Sequence, residues 1–225
     1  MTILFNFASR SRPDRFFAVL NNIREMTTGK DYSVVAKLDE DDEPMMKRRK
    51  EIDGYPEVIQ RWGYSKSKIH AINRDLDRLP DYQILVNISD DQLFIERGFD
   101  RIVKSHMTED LDLFLHFKDS YAGDRVATMS IMGRTYFERF GYIYNPSYYS
   151  LWCDNEAGEV AKLLGKYKLC DEFIFDHWHY SHHNPDKRIF KDALYKRNDT
   201  YRQDERIFNE RKKINFGLPV NEIVL

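Results

Sequence analysis

Glycine is sparse in this chain of 225 residues, ten in all, and none falls in the turn at residues 8–13 that follows the first apolar run. A dinucleotide-binding Rossmann fingerprint needs glycines there for the tight turn and the close phosphate, so that class is not expected. Cysteine is scarcer still. Cys153 and Cys170 are the only two, too few for a disulfide framework, which points to a reducing compartment. Nor is there an excess of one charge: 35 basic against 37 acidic residues leave a formal net charge of -2. General polyanion binding is therefore not indicated, and nucleic acid is not the expected partner. No apolar run approaches the ~18 residues of a membrane span, and the opening residues form no basic leader. A cytoplasmic protein is expected, with peripheral contact to a membrane left open. Without repeats or low-complexity linkers, the chain reads as one domain, residues 1–183, and a helical C-terminal extension, residues 184–225.

What the sequence does contain is centred on residues 82–94. The β-branched, apolar run Ile84–Ile88 reads as a buried strand and stops at Asp90 and Asp91, which cannot continue into a dry core. Paired carboxylates at the carboxyl end of such a strand suit a hard divalent cation that also holds a diphosphate. A polar turn or helix cap is the alternative reading.

The same junction of strand and acid recurs along the chain. Residues 3–8 read as a first strand, followed by a helix opened by Pro13 with Phe16, Val19, Leu20 and Ile23 on one face. Residues 32–38 read as a second strand that runs into Asp39, Glu40, Asp41, Asp42 and Glu43. Asp39, the first residue past the strand, is placed to accept hydrogen bonds from a base or ribose, whereas the run as a whole also reads as a solvated loop. A short charged helix is expected over residues 44–53 and a strand within residues 55–62. Residues 65–79 have helical spacing up to Pro80, and Lys66, Lys68, Asn73 and Arg74 on that helix either face a nucleotide or are solvated. Beyond Asp91 the pattern predicts a helix over 94–103, a strand over 111–117 and a short helix over 134–140. It then predicts a strand over 148–152 and a helix over 155–164, for which Asp154 is either the cap or a chemical group.

Aromatic residues make up 14% of the chain and gather between Tyr136 and Tyr180, as core or as stacking surfaces for a ring-shaped ligand. Residues 173–180 alternate, with His177 and His179 on one side, a spacing that suits one late ligand to a metal held elsewhere. The chain then turns charged, with helical stretches through Phe190, Leu194, Tyr201 and Phe208. An apolar tail, Ile223, Val224 and Leu225, is expected to pack on the sheet or on another subunit.

In this order the segments resemble the GT-A glycosyltransferases, most closely the family 2 type of inverting, nucleotide-sugar-dependent enzymes, over roughly residues 1–183. The loop Phe7-Ala8-Ser9-Arg10-Ser11-Arg12-Pro13 is similar to the family's first nucleotide loop. Ser89-Asp90-Asp91 stands in place of its Asp-x-Asp motif, and Cys153-Asp154-Asn155-Glu156 resembles the acidic motif that supplies the catalytic base. The resemblance implies an α/β fold, a Rossmann-like mixed sheet flanked by helices. It implies nucleotide contacts from Ala8, Arg10, Asp39, Lys68, Asn73 and Asp90, and a divalent metal, Mn²⁺ or Mg²⁺, on Asp91 with His177 or His179. Asp154 is implied as the base. The implied reaction moves one sugar from a nucleotide sugar, with UDP favoured, to a hydroxyl acceptor, with inversion; the processive branch's Gln-x-x-Arg-Trp motif is lacking. The alternatives are a sugar-nucleotide-binding module without turnover, and a metal-dependent nucleotidyltransferase or phosphohydrolase. A possible homo-oligomer is left open.

Overall fold

The computed structural model describes residues 1–179, 181–188 and 198–224. Tyr180, Phe190, Leu194 and Leu225 lie outside these. The chain begins with β1 (Ile3–Ala8), α1 (Pro13–Met26) and β2 (Tyr32–Asp39). A short α2 (Glu43–Lys47) and a 3₁₀ turn lead to β3 (Val58–Gly63), α3 (Lys68–Asn73) and β4 (Ile84–Ile88). After β5 (Gln92–Phe94) and α4 (Phe99–His106) come β6 (Phe114–Phe117), β7 (Ser130–Gly133) and α5 (Arg134–Glu138). The last elements are α6 (Cys153–Leu163), β8 (Tyr167–Cys170), β9 (Phe175–His177) and α7 (Asn198–Lys213).

Seven strands form one mixed sheet in the order β3-β2-β1-β4-β7-β6-β8, and β5 pairs with β9 in a small second sheet. β7 alone runs against its neighbours. The central strands are buried on both faces, which is why they read as unbroken apolar runs. Alternate residues feed two cores. Phe5, Phe7, Val34 and Val86 pack with Phe16, Leu20 and Phe99, while Leu4, Val35 and Leu85 pack with Ile69, Ile72 and Tyr144. Each such side chain contributes about 1.5–3 kcal/mol by leaving water.

Three expectations fail. The helix over residues 65–79 breaks after Asn73, because Arg74 is extended (ψ 143°) and Asp75 is left-handed (φ 58°). The helix over residues 94–103 gives way to β5, since Phe94 pairs with Phe175, and α4 starts later. Residues 148–152 are a loop, not a strand. Buried Asp204 on α7 accepts the backbone N–H groups of Tyr149, Ser150 and Leu151 at 3.0, 2.8 and 2.8 Å. That capture satisfies donors a strand would have paired, and it places Trp152 at φ 63° just before α6. Trp152 packs against Tyr201 and Phe208 of α7, and Arg211 makes two bonds, of 2.8 and 2.9 Å, to Glu156 of α6. The tail follows the same helix, with Val224 N–H donating to Leu163 O at 2.8 Å. Asp204→Ala, which removes the acceptor of three half-buried donors, is expected to cost roughly 3 kcal/mol in urea denaturation; an unchanged midpoint would show that the loop holds itself.

Candidate active site

β1 and β4 lie side by side, and the chain leaves β1 toward β2 on one side and β4 toward β7 on the other. In open α/β sheets the crevice at such a switch point, outside the carboxyl ends, is where ligands bind. Register brings Phe7 opposite Ile88, so Ser9 and Asp90 emerge together. Ser9 Oγ donates to Asp90 Oδ2 at 2.6 Å, and Arg12 Nη2 lies 2.9 Å from Oδ1. Burial pushes the Asp90 carboxyl up to about 6 against the pull of Arg12. Asp91 behaves differently: burial works to raise it, but His177, Lys68 and Arg12 together hold it below the ordinary carboxylate range. Its Oδ1 is buried with no hydrogen-bond partner.

The pairing of Gln92 with His177 across β5 and β9 sets that histidine beside Asp91. His177 Nε2 lies 3.8 Å from Asp91 Oδ1, and Nδ1 lies 3.5 Å from Oδ2 of buried Asp119. Burial opposes a proton on His177, yet Asp119 and Asp91 raise its pKa overall. Asp119 is itself fixed by the N–H groups of Tyr121 and Ala122 and by the Thr128 hydroxyl. His179 is half-buried, stacked on Tyr121 at 4.2 Å with Nδ1 2.8 Å from Ser181 Oγ. Burial, then the charge of His177, pushes its pKa down to about 4.

No group of three or more His, Cys, Asp or Glu among the described residues is arranged to hold a metal ion. Asp91 and His177 make two, and a carboxylate with an imidazole suits Mn²⁺ while leaving positions for phosphate oxygens and water. The unpartnered Asp91 Oδ1 is the kind of buried atom that a cation would satisfy. The donor set therefore fits the implied metal.

On the other side of the crevice, Arg10 Nη1 and Arg74 Nη1 donate to the two oxygens of Asp39 at 2.7 and 3.1 Å. Asp42 accepts from Ser11 N–H at 2.6 Å. The acidic run thus divides: Asp39 and Asp42 are buried and tie two loops together, whereas Glu40, Asp41 and Glu43 are exposed. Asp154 stands in the first turn of α6, half-buried, and accepts from Asn155 N–H at 3.0 Å. Burial pushes its carboxyl up and Lys68 opposes the rise. A cavity of about 190 Å³ opens beside it.

No family model and no curated protein matches the sequence. Solved structures do match. A mannosyltransferase from Pyrobaculum calidifontis, PcManGT, in complex with GDP-Man and Mn²⁺, is 14% identical with a TM-score of 0.61, over 76% of this chain and 54% of its own. Residues 1–349 of TarS from S. aureus, in complex with UDP-GlcNAc, are 10% identical with a TM-score of 0.68, over 90% and 64%. Glucosyl-3-phosphoglycerate synthase from Mycobacterium tuberculosis, with Mn²⁺, UDP and glucosyl-3-phosphoglycerate, is 12% identical with a TM-score of 0.63, over 97% and 81%. The chain has the GT-A fold. It spans about half of the PcManGT chain, under two thirds of TarS residues 1–349 and 36% of the longer TarS chain.

The GT-A sheet brings together most of the residues singled out in the sequence. Ala8 is the last residue of β1 and Arg10 follows it, Asp39 ends β2, Asp90 and Asp91 follow β4, and His177 ends β9. Lys68, exposed at the start of α3, sends its charge to Asp90, Asp91, Asp154 and His177 alike. Asn73 is occupied elsewhere: its amide donates to Tyr144 O at 2.6 Å and accepts from the N–H groups of Ile143 and Tyr144. Tyr148, a candidate sugar platform, is buried with its hydroxyl donating to Glu156 at 2.7 Å. Asp119 was not among the expected site residues. Its signal was present, an apolar strand, Phe114–Phe117, ending two residues before a carboxylate.

Proposed function

We propose that this chain is a metal-dependent glycosyltransferase that moves a single sugar from a nucleoside-diphosphate sugar, with UDP favoured, to a hydroxyl acceptor, with inversion. The observation that carries the reading is the buried, unpartnered Asp91 Oδ1 beside His177 at the carboxyl end of β4, with Asp154 on α6 beside an open cavity. Asp91 and His177 would hold the divalent cation, with His179 or diphosphate oxygens completing its shell. When bound, such a cation neutralises charge on a departing diphosphate.

The residues divide the remaining work. Asp39, fixed between Arg10 and Arg74, orients the nucleoside, while Arg12 and Lys68 place positive charge near the phosphates. Asp154 takes the proton from the acceptor hydroxyl as its oxygen attacks the anomeric carbon. The bond from that carbon to the diphosphate oxygen breaks with its electron pair, and the nucleoside diphosphate leaves. A cytoplasmic setting fits the free thiols of Cys153 and Cys170, and no described helix is long and apolar enough to cross a membrane.

The test is a thermal-shift and turnover screen of nucleotide sugars with and without Mn²⁺. Metal-dependent stabilisation by one donor, with release of its nucleoside diphosphate, is expected; no shift with any donor refutes the reading. Asp119 orients the His177 ring, as carboxylates commonly do behind metal-bound imidazoles. Asp119→Asn is accordingly expected to weaken Mn²⁺ binding by about 10–100-fold, read by electron paramagnetic resonance of free Mn²⁺; an unchanged affinity removes that role.

A further inference from the structure

Arg15 stands in the first turn of α1, the helix that follows β1 after the short loop at residues 9–12. That end of α1 adjoins the carboxyl edge of the sheet, and side chains on a helix lean toward its N-terminus. The lean carries Arg15 toward Asp90 and Asp91. Its charge is felt there: burial lowers its pKa, Asp90 and then Asp91 oppose the fall, and Arg12 adds to it. Two arginines of like charge are thus held near one another beside these acids. Arg12 lies 2.9 Å from an Asp90 oxygen, and Arg10 and Arg74 donate to Asp39.

What holds Arg15 is a ring, not an acid. Its guanidinium carbon lies 5.4 Å from the centre of the Trp178 ring. Trp178 follows His177 at the end of β9, and its N–H donates to Asp91 O at 2.7 Å, so the ring is fixed to the same strand end as the paired acids. Among the described residues Arg15 makes no hydrogen bond and no ion pair. The side chain is half-buried, yet its nitrogens remain open to solvent. Contact with a ring uses the flat face of a guanidinium and takes up none of its five in-plane N–H donors. The fork is therefore held in place with its donors unused, and such a fork matches two phosphate oxygens at once.

We infer that Arg15 binds the diphosphate of the donor, its guanidinium donating to phosphate oxygens that the cation on Asp91 and His177 does not take, with Trp178 keeping the fork in place. The inference rests on the reading of this crevice as the donor site, but its test does not depend on turnover. Arg15 and the cation then act on the same anion from separate positions. Their effects on binding differ in sign: Arg15 attracts the diphosphate, whereas it repels the cation that Asp91 attracts.

Calorimetry on the unsubstituted protein and on Arg15→Gln measures the binding of Mn²⁺, and then of inorganic pyrophosphate to the Mn²⁺-loaded protein. Pyrophosphate represents the group common to every nucleoside-diphosphate donor, so the probe does not depend on the base. Arg15→Gln is expected to weaken pyrophosphate at least about tenfold, as loss of a charged hydrogen bond does. Mn²⁺ alone is expected to bind as tightly or more tightly, because a positive charge near Asp90 and Asp91 is gone. A loosened fold would weaken both. Parallel weakening would make Arg15 a structural residue and overturn the inference, as would pyrophosphate binding that is absent or unchanged. Transfer from a nucleotide sugar, with pyrophosphate binding indifferent to Arg15, overturns this inference and leaves the transferase reading standing. Pyrophosphate binding that depends on Arg15, with no transfer from any donor, does the reverse.

Discussion

Asp154→Asn is expected to lower sugar transfer by about 10²–10⁴-fold while leaving donor and metal binding intact. Asparagine keeps the size of the side chain and can still accept from Asn155 N–H, but it cannot take a proton. Asp91→Asn should fail in the opposite way, losing the metal-dependent thermal shift along with activity. The pH profile sharpens the contrast. Burial raises the Asp154 carboxyl, with Lys68 on α3 and His177 on β9 lowering it and Asn155 N–H stabilising the charged form. A base works only when deprotonated, so transfer should rise as pH rises through that raised value and then level off. Transfer by Asp154→Asn that matches the unsubstituted protein would eliminate the base role.

The largest effect on stability is expected at Lys37, which lies on β2 and is 1% exposed. Its Nζ donates to Ile72 O at 2.6 Å, a carbonyl that also accepts from Asn6. Burial pushes the Lys37 pKa down from 10.5 to about 7, with Asp75 opposing and Arg74 adding to the fall. Above pH 7 the folded chain sheds this proton, whereas the unfolded chain keeps it until about 10.4. The unfolded state therefore binds more protons in that window, and stability rises with pH across it. Below pH 7 the cost of a buried ammonium is present in full. Lys37→Met removes it, so the variant should be the more stable at pH 6, by up to about 5 kcal/mol. The gap should close as pH approaches 10, followed by urea denaturation across the range. If the two proteins keep parallel stability profiles, the buried lysine is not the cause.

Asp39, Asp90 and Asp91 were legible as candidates because each is a carboxylate at the end of an apolar strand, and that junction is local. A side chain that cannot enter the core must leave the sheet where the strand leaves it. Asp154 was legible for its position but not for its surroundings. The strand expected before it does not form, because Asp204, 50 residues or more away in sequence, takes the backbone donors that would have paired. β8 escaped notice for a related reason: Lys168 and Leu169 are exposed, so Tyr167–Cys170 lacks the alternation of a half-buried strand.

The sequence by itself determined the α/β class, the order of the central strands along the chain and the acids at their carboxyl ends, since periodicity and strand termini depend on neighbours a few residues apart. Only the tertiary structure decided which groups meet. The approach of His177 to Asp91 depends on β5 pairing with β9, and the Asp119 carboxylate reaches the far side of that ring from another loop. The split of the acidic run into buried ties and exposed charge depends on Arg10, Arg74 and Ser11. These contacts join segments separated by tens of residues, and no local pattern encodes a pairing that forms only when the sheet closes around it.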